Sequence, residues 1–153
     1  MKILEIGKVE LASLCYLNKE RYPFLLESVN HNDNNRYSIL FAFPSESIVL
    51  NSLSDFDFLN ELESKYKSTN LKSNLPFSGG WFVYLSYELI GQIEPILSRE
   101  LHTSELPIAY AVKIPSAIII DCQLNTTYLI DQDSDQSRIN TMLQDIELIK
   151  PIF

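Results

Sequence analysis

Asp131, Asp133 and Asp135, spaced by single residues, begin like a calcium loop, in which carboxylates converge on a hard cation. The pattern then breaks: Gln136 stands where such a loop needs glycine, and Met142 where it needs a bidentate glutamate. The three acids therefore read as a solvated loop and a helix N-terminus, where negative charge suits the helix dipole. Ser78-Gly79-Gly80 lacks the GxxxxGK spacing of a phosphate loop, and no strand-turn-helix frames it, so it reads as a tight turn. Cys15 and Cys122 lie far apart without a CxxC, and His31 and His102 sit in polar contexts at no ligand spacing to them. The thiols read as free and no metal site is expected. A nucleophile, base and orienting acid need only meet in space, but no spacing here favours such a set. Glu27, Glu88 and Glu94 lie in or beside apolar segments, where burial raises a carboxyl pKa; the ordinary alternative is one structural salt bridge or hydrogen bond for each. Asn125-Thr126-Thr127 matches a glycosylation acceptor, which matters only in a secreted chain.

These residues sit in a chain of 153, 46% hydrophobic and 21% charged, with eight tyrosines and eight phenylalanines. Enough apolar surface exists to offset chain entropy, so the chain folds, and its length suits a single domain over 1–153. Twelve basic against twenty acidic residues give a net charge of -8 with no basic run, which argues against nucleic acid as a partner. The apolar runs, such as 81–85 and 117–120, fall far short of the ~20 residues needed to span a bilayer. Met1-Lys2-Ile3-Leu4-Glu5 leads into Lys8 and Glu10 without a signal-peptide core, so the expected location is cytoplasmic.

The elements that must position these groups follow from periodicity. Leu11, Leu14, Cys15 and Leu17 fall at helical spacing, and 22–29 has the apolar density of a buried strand. Residues 36–43, ending at Pro44, and 47–50 read as neighbouring strands forming a hairpin. Ser54 is placed to cap a helix running to about Lys67, with Asp57 at its third position and Phe58, Leu59, Leu62 and Tyr66 as an apolar stripe. A strand is expected at 81–87, then a loop with a short helix broken by Pro95 and Pro107. Strands follow at 108–113, 116–121 and 126–131, and Ile139, Met142, Leu143, Ile146 and Ile149 mark an amphipathic helix over 134–150. Short strand-to-strand connections outnumber helical crossovers. The expected class is α+β, mostly an antiparallel sheet or two packed sheets with a few flanking helices.

Three segments carry a resemblance. They are Tyr22-Pro23-Phe24-Leu25-Leu26-Glu27-Ser28; Arg36-Tyr37-Ser38-Ile39-Leu40-Phe41-Ala42-Phe43-Pro44; and Leu75-Pro76-Phe77-Ser78-Gly79-Gly80-Trp81, continuing to Tyr87-Glu88-Leu89. In order and spacing they resemble the N-terminal domain shared by anthranilate synthase component I and aminodeoxychorismate (para-aminobenzoate) synthase component I. Val83-Tyr84, Glu88 and Gly91 depart from the anthranilate pattern and look more like the aminodeoxychorismate branch, which serves folate precursor synthesis.

The resemblance implies that chemistry, the magnesium-dependent amination of chorismate with ammonia from a glutamine amidotransferase, belongs to a larger chorismate-binding catalytic domain absent from this chain. No catalytic residue and no cofactor are then expected here. It also implies one side of a tryptophan pocket, carried over to Leu26, Ser28, Asn35, Arg36, Tyr37 and Ser38. Strand alternation places Leu26 with Ser28 on one face and Leu25 with Glu27 on the other. Ser28 has two readings, a ligand contact or a hydroxyl satisfying neighbouring backbone. The alternative at the level of the whole chain is a stand-alone amino-acid-binding module.

Overall fold

The computed structural model describes residues 1–27, 36–66, 73–97 and 105–149. In chain order the elements are β1 (Lys2–Ile6), α1 (Leu11–Leu17), β2 (Phe24–Leu26), β3 (Tyr37–Ala42), β4 (Ser47–Leu50), α2 (Phe58–Lys65), β5 (Gly80–Leu85), α3 (Ile90–Ile93), β6 (Ala109–Ile114), β7 (Ser116–Asp121), β8 (Thr126–Asp131) and α4 (Gln136–Ile149). Short 3-10 turns at Tyr87–Leu89 and Pro95–Leu97 flank α3. The class is α+β with two antiparallel sheets, of five and three strands. The chain divides into two compact units.

The first unit comprises Met1–Ser45, Asn70–Gly80 and Ile114–Phe153. Its sheet runs β1-β8-β7-β3-β2, each neighbouring pair antiparallel. The β7–β8 hairpin closes where Asn125 takes a positive φ of 50°, a conformation asparagine tolerates better than most residues. One face carries Leu40, Ile118 and Leu129, which pack with Leu11 and Leu14 of α1 and Ile139, Met142 and Ile146 of α4. Each fully buried side chain of this kind contributes about 1.5–3 kcal/mol. The opposite face carries Ala117, Ile119 and Ile130, against which Leu75 and Phe77 pack, with Phe77 edge-on to Phe41 at 5.0 Å between ring centres. With both faces covered, β7 reads as a nearly continuous apolar run rather than an alternation.

The second unit, Glu46–Thr69 and Trp81–Lys113, holds the sheet β4-β6-β5. Ile48, Leu50, Ala109 and Ala111 pack with Phe58 of α2 and with Leu89 and Ile108. Gln92 ties the start of α2 in place: its Oε1 accepts from the Phe58 N–H at 3.1 Å, and its Nε2 donates to the carbonyl of Leu53 at 3.0 Å.

Four expectations change. Of the strand expected over 22–29, the described part is Phe24–Leu26, which starts late because the Tyr22 N–H bonds back to the Asn18 carbonyl at 2.9 Å and Pro23 follows; Ser28 and Val29 lie outside the described residues. β3 and β4 form no hairpin: Phe43, at φ 59°, and Pro44 turn the chain out of the sheet, leaving β3 between β2 and β7 while β4 pairs with β6. α2 begins three residues late, since Asp57 rather than Ser54 caps it by accepting from the Asn60 N–H at 3.0 Å. β1 was not anticipated, although Leu4 and Ile6 alternate toward the core. Among the described residues, no helix is long and apolar enough to cross a membrane.

Candidate functional site

Antiparallel register brings Ser38, Ile120 and Thr127 into one row across β3, β7 and β8, on the face that also carries Leu40, Ile118 and Leu129. The row floors a cleft of about 560 Å³ in the first unit, a volume that suits a small molecule. Its walls come from three further segments: Lys8 to Glu10 between β1 and α1 with Leu11 at the start of α1, Glu27 just past β2, and Cys122 and Asn125 in the β7–β8 turn. Leu25 faces the same side as its ladder partner Leu40, and alternation turns Glu27 that way too.

The polar groups of the cleft differ in how far they are committed. Glu10 caps α1, accepting from the backbone N–H groups of Ser13 at 2.7 Å and Ala12 at 3.2 Å. Hydrogen bonding from the Ser13 side chain, then from these backbone groups, holds its carboxyl below the usual carboxylate range. Lys8 and Glu27 are exposed at the rim and bring one charge of each sign. Ser38 and Thr127 are buried, and the Thr127 hydroxyl has no hydrogen-bond partner among the described residues. Cys122 is a free, half-buried thiol.

Arg36 is spent on structure. Its Nε contacts both carboxylate oxygens of Asp121, at 3.0 and 2.9 Å, and its guanidinium lies over the Tyr37 ring at 4.9 Å. Asp121 in turn accepts from the N–H groups of Gln123 at 3.1 Å and Leu124 at 3.2 Å, bracing the hairpin turn. The Arg36 guanidinium first, and these backbone donors after it, hold the Asp121 carboxyl below its usual range.

Of the six residues carried over from the resemblance, the structure places Ser38 in the cleft. Leu26, half exposed and paired with Ile39, shares the opposite face with Tyr37, and Arg36 is paired with Asp121. Ser28 and Asn35 lie outside the described residues, as do His31 and His102. Sequence reasoning missed Lys8, Cys122 and Thr127, which meet only through strand pairing. Glu27 was noted for burial, yet it is exposed, as is Glu94. Alternation from Leu25 was the signal that aimed it at the helix-covered side.

The acidic trio is held by an arginine. Asp131, fully buried, accepts from the Ser116 hydroxyl at 2.6 Å and the Asp135 N–H at 2.7 Å. Arg138 reaches all three carboxylates, Asp131 at 3.0 Å, Asp133 at 2.8 Å and Asp135 at 3.3 Å. Among the described residues, no group of three or more His, Cys, Asp or Glu is arranged to hold a metal.

No protein-family profile matches the chain. It is similar to an anthranilate synthase component I-like protein of Synechocystis sp., 28% identical over 77% of this chain and 26% of that protein. It is also similar to anthranilate synthase component 1 of Lactococcus lactis subsp. lactis, 25% identical over 94% of this chain and 35% of that protein. The crystal structure of anthranilate synthase component I from Streptococcus pneumoniae matches the fold with a TM-score of 0.62 at 21% identity, over 95% of this chain and 37% of that one. Both curated relatives are named as anthranilate synthase component I or as like it, and the solved structure shares the fold. The chain spans about a quarter to a third of the length of the curated relatives.

Proposed function

We propose that this chain is a non-catalytic domain of a chorismate-utilising synthase. It acts beside a chorismate-binding catalytic domain, which holds the magnesium, and a glutamine amidotransferase subunit, which supplies ammonia. The observation that carries this reading is that 94% of the chain aligns with only 35% of an anthranilate synthase component 1. The test is direct. The purified chain with chorismate, magnesium and ammonia should form neither aminodeoxychorismate nor anthranilate; turnover proportional to this chain, after a contaminant control, overturns the reading.

Within that class, the run from Gly79 to Phe82 and the segment Tyr87-Glu88-Leu89 favour the aminodeoxychorismate branch, whereas the names of both curated relatives favour the anthranilate branch. The product made when the chain works with its catalytic domain decides between them, aminodeoxychorismate for the first and anthranilate for the second.

A second reading, an amino-acid-binding module, is favoured by the cleft. Glu27 offers a carboxylate to a ligand ammonium, Lys8 an ammonium to a ligand carboxylate, and Val9, Leu11 and Ile120 an apolar wall. Tryptophan is the first probe. A domain whose pocket is completed by a partner forgoes about 100 Å² of apolar contact, close to a hundredfold in affinity at ~25 cal/mol per Å². Calorimetry giving micromolar binding, lost in Glu27→Gln and Ser28→Ala, supports the module. Millimolar or absent binding supports the domain.

A further inference from the structure

β2 is weakly held by its own ladder. It is a three-residue strand at the sheet edge with β3 as its neighbour, and Leu26 is half exposed. Short edge strands with little buried area sit at the low-stability end of a fold and open locally before the rest. The residues just before it are anchored differently. Tyr22 is 1% exposed, and its hydroxyl donates to Asp145 Oδ2 of α4 at 2.6 Å. Arg21 forms an ion pair with the same oxygen and lies over the Phe43 ring at 5.7 Å. Backbone bonds close the arrangement, from the Phe43 N–H to the Arg21 carbonyl and from the Tyr22 N–H to the Asn18 carbonyl, both at 2.9 Å. Burial first, and the bond to the Asp145 carboxylate second, push the Tyr22 phenol above its ordinary pKa, so it remains a donor.

We propose that Asp145 is a positioning residue for the cleft: its carboxylate latches the Arg21–Tyr22 turn to α4, and this latch, rather than the strand ladder, holds β2 and with it Glu27 at the sheet edge. Asp145 is separated from Tyr22 by 123 positions, and it is 6% exposed among the apolar residues of α4. Nothing in the packing of α4 calls for a carboxylate there. Ile139, Met142 and Ile146 already supply its apolar contact with the sheet. Tyr22 packs in one buried cluster with Leu40, Ile118 and Leu129, but the central strands have six-position ladders of their own, β3 with β7 and β7 with β8. Releasing the latch therefore frees residues 21–27 while β1, β8, β7 and β3 stay assembled. The latch acts whatever fills the cleft, so its test is separate from that of the proposed function.

Native-state hydrogen exchange on the full chain reads it. In Asp145→Asn, the amides of Tyr22, Phe24 to Leu26 and Phe43 should exchange at least tenfold faster, with those of Ile118 and Ile119 changed by less than threefold. Tyr22→Phe, which keeps the ring and removes one bond, should give the same pattern with a smaller increase. Asp145→Glu should recover part of the protection. Uniform acceleration across the unit would make Asp145 an ordinary stabilising residue and overturn the proposal, as would unchanged exchange at Phe24 to Leu26. Failure of both Asp145→Asn and Tyr22→Phe to fold would overturn it too, since the contact would then belong to the global core.

Discussion

The side chain of Gln132 lies against Gly79 so closely that a methyl group added there would stand 2.2 Å from its Oε1 and 2.7 Å from its Cβ. Gly79 also holds a φ of 105°, a conformation L-residues rarely adopt. Gly79→Ala should therefore destabilise by more than the ~1–3 kcal/mol of backbone strain alone. Gly80, at φ 149°, would bring its methyl to an ordinary 3.7 Å from Phe77, so Gly80→Ala should cost less. Gln132→Ala should recover only part of the Gly79→Ala loss, because the Cβ remains. Urea denaturation midpoints of the four proteins check the order, and equal midpoints for the two glycine variants would refute it.

Arg138 occupies the space a cation would need between Asp131, Asp133 and Asp135. Adding calcium at millimolar concentration should leave the melting temperature unchanged. Asp131→Asn should cost about 1–3 kcal/mol, because it weakens the buried hydrogen bonds accepted from Ser116 and the Asp135 N–H, while Arg138 keeps Asp133 and Asp135 as partners. Thermal and chemical denaturation test both; a calcium-dependent rise in melting temperature would show that the arginine yields its place.

The Arg36–Asp121 pair makes part of the stability pH-dependent. Asp121 has a folded pKa below the ordinary carboxylate value of about 3.9, so near and below that pH the unfolded chain binds more protons and stability rises with pH. The contribution is complete above the unfolded value and is lost as pH falls through the folded one. Denaturation of wild type and Asp121→Asn across pH 2–6 should give a difference that is flat above about pH 5 and shrinks below pH 4. A difference that grows on acidification contradicts this.

Capping of α2 separates two candidates. Asp57 accepts from the Asn60 N–H, while the Ser54 hydroxyl meets the Ser52 hydroxyl at 3.0 Å in the preceding turn. Asp57→Ala should cost about 1 kcal/mol and Ser54→Ala less than about 0.5 kcal/mol. Denaturation of the two single variants is sufficient, and the reverse order would return the cap to Ser54.

Local pattern determined much of this protein from sequence. Ser116–Asp121 and Thr126–Asp131 stand where composition and spacing placed them, because a hairpin needs only its own residues and a turn between them. The 3-and-4 spacing of Ile139, Met142 and Ile146 likewise set α4 and its buried face. The tertiary structure decided everything that depends on distant partners. β3 takes β7 in place of the nearby β4, since six ladder positions and two covered faces outweigh a short loop whose Phe43 and Pro44 leave the sheet. The cleft is of the same kind. Lys8, Glu27, Ser38, Cys122 and Thr127 are scattered along the chain and show no common period, and register across β3, β7 and β8 is what sets them around one space. Register is a cooperative outcome of burying both faces of the sheet, and no short window of sequence contains it.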